Sequence, residues 1–161
     1  VYTYSYREAV ADDWLIDHEP PIRYVTLLSQ NGIKFKKGEK VTAINTKTKE
    51  TEAAELEDNM DFKVDAFNKR VITKKFNKVI CKQLAEEIDP NGDEKTLIYC
   101  ATDIHADMVK TLLDKRFSKK YGDNYNEASV RKITGKSDKV KLLIKRYKNE
   151  RYPSIAITVD L

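Results

Sequence analysis

Between Thr96 and Val159 the sequence alternates strand, helix, strand, helix, strand, and this alternation constrains the fold more than any other feature. Thr96-Leu97-Ile98-Tyr99-Cys100-Ala101 is a nearly continuous apolar run, the pattern of a strand buried on both faces. A helix opens at Thr102 or Asp103 and sets Met108, Val109, Leu112, Leu113 and Phe117 on one face. Ser129 to Thr134 reads as a second strand, ended by Gly135. Ser137 then caps a helix whose apolar face is Val140, Leu143, Ile144 and Tyr147. Pro153 leads a third strand through Val159, at a position where a missing N–H is tolerated. Strands joined through helices of this length pair in parallel with right-handed crossovers, so the fold class is α/β.

Upstream the signals are shorter. Val1 to Ser5 alternates like a strand, and Tyr6 to Asp12 looks like a helical turn. Pro20-Pro21 forbids helix and feeds an extended run, Ile22 to Leu28. Gly32 and Gly38 flank Ile33-Lys34-Phe35-Lys36, a hairpin strand with Val41 to Asn45 as its expected partner, followed by an acidic connector. From Asp61 the period becomes helical. Phe67, Val71, Val79, Leu84 and Ile88, with Ile72, Phe76 and Ile80 beside them, predict a short helix and then a long one, capped by Thr73 and closed by Asp89-Pro90-Asn91-Gly92.

The 161 residues suffice for one domain or one domain with an appendage. No apolar run approaches the roughly 18 to 20 residues of a membrane span, and no signal peptide is visible. Cys81 and Cys100 cannot build a disulfide framework, and with His18 and His105 they make a poor zinc set. These readings favour a soluble cytoplasmic domain. The absent initiator Met and the apolar ending, Ile155 to Leu161, suggest a piece of a longer chain. The formal charge of +4 conceals an imbalance: residues 110–151 hold fourteen basic and five acidic side chains, an excess of nine, leaving −5 elsewhere. Glu50 to Asp61 alone carries six acids and no base. Clustered lysines often only solvate a helix, but confinement to one region favours contact with a polyanion.

Ligands of open parallel sheets bind at the carboxyl ends of the strands. Here those tips are Cys100-Ala101-Thr102-Asp103, Ile133-Thr134-Gly135-Lys136-Ser137 and Thr158-Val159-Asp160-Leu161. Gly135-Lys136-Ser137 imitates the end of a phosphate-binding P-loop, but the first glycine of that loop is replaced by Val130. The segment either binds one phosphate at a helix N-terminus, aided by Thr134 and Lys136, or merely turns the chain. Cys100 reads as a small core hydrophobe and His105 as a surface or packing residue. No catalytic triad, Cys-His pair or carboxylate pair can be assembled, so no catalytic residue and no metal ligand is assigned.

Lys95 to Val109 resembles motif IV in the second RecA-like lobe of superfamily 2 helicases, and more narrowly that stretch of the R (HsdR) subunit of type I restriction–modification enzymes. Val1 to Val10 with Asp17 to Pro21 resembles the connection leaving the first motor lobe, and Phe67 to Ile72 the helical entry to the second. Lys132 to Gly135, Arg146 to Arg151 and Ile157 to Leu161 resemble the run into motif V. The resemblance implies a connector over residues 1–30, a β-hairpin insertion and acidic connector over 31–61, and a RecA-like lobe over 62–161 that stops within motif V. It implies a motor that uses ATP and Mg2+ to translocate double-stranded DNA before cutting it, alongside methylation and specificity subunits and against the first RecA-like lobe of the same chain. Ala101, Thr102, Asp103, Thr134, Gly135, Lys136 and Thr158 would face the DNA backbone, and Asp160 would couple to the nucleotide side. Many relatives carry Thr at the position of Val159, so the motif departs there from the common pattern. Walker A, Walker B, motif VI and nuclease residues are absent from the 161 residues, so the chain alone is expected to be inactive. Two other readings are a non-enzymatic α/β nucleic-acid-binding module and lobe 2 of another superfamily 2 translocase.

Overall fold

The structure, a computed structural model, describes residues 3–44, 51–55, 57–63, 65, 68 and 72–159, with the backbone alone along 40–44 and 51–54. Residues 3–5 form no strand. Ser5 instead caps α1 (Tyr6–Ala11): its Oγ accepts from the Glu8 N–H at 3.2 Å, and the Glu8 carboxylate accepts from the Ser5 N–H at 2.7 Å. This reciprocal bonding satisfies two donors that a lone strand at a chain end would leave open. Residues 22–26 form no regular element, and Thr26 caps α2 (Leu27–Asn31) by the same device with Ser29.

The expected hairpin between Ile33 and Asn45 does not form. β1 (Ile33–Phe35) is followed by β2 (Lys40–Ile44), β3 (Thr51–Glu55) and β4 (Met60–Phe62). β2 pairs with β3, and β1 reaches past both to pair antiparallel with β4, Ile33 opposite Phe62. Within the acidic stretch, residues 51–55 and 60–62 are strand and 57–59 connect them without regular structure. Gly32 permits the outer pairing: it sits at φ +76°, and a Cβ there would lie 2.7 Å from the Phe62 carbonyl oxygen.

α3 (Lys74–Glu87) has Thr73 at its N-cap position, yet the Thr73 hydroxyl makes no capping bond. The predicted short helix before it, including Phe67 and Val71, falls largely outside the described residues. The buried face of α3 is Asn77, Cys81 and Ala85, while Val79 points outward at 55% exposure. Small side chains line the seam, so the helix approaches its neighbour closely and Leu84 and Ile88 pack at the rim.

The α/β alternation then appears as the sequence predicts: β5 (Thr96–Tyr99), α4 (Asp103–Tyr121), β6 (Val130–Lys132), α5 (Val140–Asn149) and β7 (Ile155–Thr158). The three strands form a parallel sheet in the order β5-β7-β6, with β7 in the middle and every residue of it buried. Ile98, Val130, Ile155 and Ile157 pack with Val109, Leu112, Leu113 and Phe117 of α4 and with Cys81 and Ala85 of α3. Phe117 is fully buried, a contribution of about 2–3 kcal/mol on transfer grounds. β5 lies at the edge of this sheet and is not buried on both faces: Leu97 is 37% and Tyr99 66% exposed. α5 buries no side chain completely. Lys95 anchors the turn into β7 by donating to the carbonyls of Glu150, Arg151 and Pro153 at 2.6–2.9 Å.

Candidate nucleic-acid interface

Parallel pairing with β7 in the centre brings the carboxyl ends of β5, β6 and β7 to one edge of the sheet. Ala101, Thr102 and Asp103 leave β5 and open α4; Thr134, Gly135 and Lys136 leave β6; Thr158 ends β7. Asp160 lies outside the described residues.

The first two tips are bonded to each other. The Thr134 hydroxyl donates to Asp103 Oδ1 at 3.0 Å, and Lys132 Nζ lies 3.2 Å from Asp103 Oδ2 and 2.6 Å from Asp107 Oδ1. Burial pulls the Lys132 ammonium down, but the hydrogen bonds and charges of Asp107 and Asp103 outweigh it and raise its pKa overall. Thr134, 3% exposed, thus spends its donor inside the protein. A phosphate oxygen, itself only an acceptor, would find donors elsewhere at this tip: the exposed Lys136 ammonium and the N–H groups of Gly135 and Lys136, which have no partner among the described residues.

Ser137 does not cap α5, as the sequence suggests. Its Oγ accepts from the Thr134 N–H at 3.0 Å and donates to the Lys132 carbonyl at 3.3 Å, closing the turn. Lys139 takes the N-cap position in the left-handed region, at φ 51°, without a side-chain bond. Gly135 has no positive φ, and a Cβ on it would meet nothing within 4 Å, so the fold does not itself demand glycine there.

Under the β5 tip lies a polar network that sequence reasoning missed. Thr102 caps α4 by accepting from the His105 N–H at 3.1 Å. The His105 ring accepts from the Ala101 N–H at Nδ1, 3.1 Å away; a backbone N–H can only donate, so the proton sits on Nε2 and is donated to Asn77 Oδ1 at 2.9 Å. The Asn77 amide donates in turn to Asn68 Oδ1 at 2.7 Å and to the Thr73 carbonyl at 3.1 Å. Burial holds the His105 imidazole neutral, its pKa pushed down to about 4. His105 is therefore the packing residue that one sequence reading favoured. Only the polar Asn77 on an otherwise apolar face hinted at a partner for it. Burial lifts the Cys81 and Cys100 thiols to about 11, in keeping with Cys100 as a core residue.

Thr158 is fully buried, and its hydroxyl has no hydrogen-bond partner among the described residues. In this arrangement it presents nothing to solvent, unlike Gly135 and Lys136. Among the described residues no group of three His, Cys, Asp or Glu side chains could hold a metal, and no helix is long and apolar enough to cross a membrane.

The fold and the strand-edge site define an α/β segment with a parallel sheet, compatible with a RecA-like lobe. Over its whole length the chain is 43% identical to the endonuclease subunit of the type I restriction enzyme EcoKI from Escherichia coli (strain K12). That resemblance, read first from the motifs, is thereby shown, and it extends over 14% of the length of this relative. No protein-family model matches the chain, and no solved structure matches it either.

Proposed function

We propose that this chain is part of the ATP-dependent DNA-translocating motor of a type I restriction endonuclease R subunit, and that its strand-edge loops contact the DNA backbone. The whole-length similarity to such a subunit carries the reading. The convergence of Ala101 to Asp103 with Thr134 to Lys136 at one sheet edge supports it. Backbone N–H groups and the Lys136 ammonium hold phosphates, while the Asp103–Lys132–Asp107 cluster keeps the two loops in register. Asp160 would face the nucleotide side.

Bound ATP with Mg2+ would supply the energy of translocation in the whole subunit. The described residues do not form that site alone: there is no glycine-rich phosphate loop, and the two carboxylates that do meet, Asp103 and Asp107, are occupied by Lys132. A first RecA-like lobe, double-stranded DNA and the methylation and specificity subunits complete the machine in the cytoplasm of the host cell. The chain by itself neither hydrolyses ATP nor cuts DNA.

The test places Gly135→Ala and Lys136→Gln in the whole subunit, assembled with its partner subunits, and follows translocation by displacement of a third strand from duplex DNA. Assembly and recognition should persist while translocation slows at least tenfold. Translocation at the unmodified rate would overturn the assignment of these loops to the DNA path.

A further inference from the structure

The ion pairs of the basic region are unevenly distributed. Lys110 pairs with Asp114 at 2.6 Å, Lys120 with Glu86 at 3.8 Å, Lys132 with Asp103 and Asp107, and Arg146 with Glu150 at 3.8 Å. Like Lys115, Lys119, Arg131 and Arg151 elsewhere in the region, Lys136, Lys139, Lys141, Lys145 and Lys148 have no ion-pair partner among the described residues, and all five are exposed. They fall on α5 and the turn leading into it, where residues 136–149 hold six basic side chains and one acid, Asp138. At 100° per residue, Lys141, Lys145 and Lys148 lie within one narrow stripe about 10 Å long, opposite the half-buried Leu143 and Tyr147, with Val140 and Ile144 on its flank.

A merely solvated helix face mixes signs, as the exposed side of α3 does with Lys78, Lys82, Glu86 and Glu87. On α5 the positions i±4 from Lys141 and Lys145 carry no acid, so like charges stand next to one another without compensation. Such a stripe is stabilised by an external polyanion. Its spacing suits two or three consecutive phosphates, and no exposed aromatic residue interrupts it.

We infer that the outward face of α5 is a docking surface for the phosphate backbone of duplex DNA, distinct from the strand-edge loops. The inference rests on the motor reading for the identity of the polyanion, and on the stripe of unpaired lysines along α5 for its place. The loops at the sheet edge carry the Asp103–Lys132–Asp107 cluster, of net charge −1. Lys136 beside it is unpaired, and the stripe of like charge lies one element further on, along α5.

Binding of the chain to a short, fluorescently labelled duplex of arbitrary sequence would be followed by anisotropy over a range of NaCl concentrations. Circular dichroism would check that each variant folds. Each lysine that neutralises a phosphate contributes about 0.9 to the slope of log K against log salt, so Lys141→Gln/Lys145→Gln/Lys148→Gln should flatten the slope by about 2 to 3. Affinity at low salt should fall at least tenfold, and the matching Lys→Arg triple variant should restore both. An unchanged slope in the glutamine variant, no duplex binding by the unmodified chain at low salt, or equal binding to a polyglutamate peptide would each overturn the inference. If Gly135→Ala/Lys136→Gln weakens binding while the α5 variant does not, the motor reading stands and the α5 surface fails. The reverse pattern would leave the α5 surface standing without the loops.

Discussion

Protonation of His105 should be among the steepest single contributions to the acid sensitivity of this chain. In the folded state its imidazole must be neutral, because Nδ1 accepts from Ala101 and burial penalises charge; the pKa falls to about 4 from 6.5. The unfolded chain therefore binds a proton that the folded chain rejects, and stability rises with pH across that window. The contribution is complete above about pH 6.5 and drains away as pH falls towards 4. Linkage arithmetic gives a loss of about 2 kcal/mol between pH 7 and pH 5, and about 3 kcal/mol by pH 4. Urea denaturation at several pH values, on the unmodified chain and on His105→Gln, isolates this effect from the carboxylates that titrate in both. At pH 7 the variant should be less stable by about 1–3 kcal/mol, since Ala101 and Asn77 lose well-placed partners. Its disadvantage should shrink by about 2 kcal/mol at pH 5. Parallel stability curves for the two proteins from pH 7 to pH 4 would refute the neutral, doubly bonded imidazole.

Gly32→Ala should cost about 1–3 kcal/mol, measured as a lowered urea midpoint, because it forces a side chain into positive φ and against the Phe62 carbonyl. Gly135→Ala, where a Cβ meets open space, should leave the midpoint nearly unchanged. With thiol pKa values near 11, only roughly one part in a thousand of each cysteine is thiolate at pH 8. Cys81 and Cys100 should therefore resist Ellman's reagent in the folded chain and react together once it unfolds; rapid labelling of either under native conditions would contradict the packed core.

Residues 96–159 were legible in the sequence because their signals are local. The apolar run of Thr96 to Ala101, the face of Val109, Leu113 and Phe117 and the turn at Gly135 each depend on neighbours within a few positions. Parallel pairing follows once helices separate the strands, so the meeting of the Asp103 and Thr134 tips at one edge was also in reach. The sequence did not reveal that these two side chains bond to each other, since that contact spans thirty-one positions.

Where the sequence misled, long-range closure outweighed local pattern. Ile33-Lys34-Phe35 is too short to choose a partner by alternation, and it chose β4 over the nearer β2 because Gly32 allows the backbone to reach Phe62. The face of α3 was misjudged because hydrophobicity alone ranks Val79 above Asn77, whereas the seam with α4 needs small residues and His105 needs an acceptor. The order of elements, the α/β class and the basic excess after residue 110 belong to the sequence itself, being sums over neighbouring residues. Which lysines keep their charge free, which hydroxyls are already spent and which histidine stays neutral were decided only by the tertiary structure, because each depends on a partner brought close by folding.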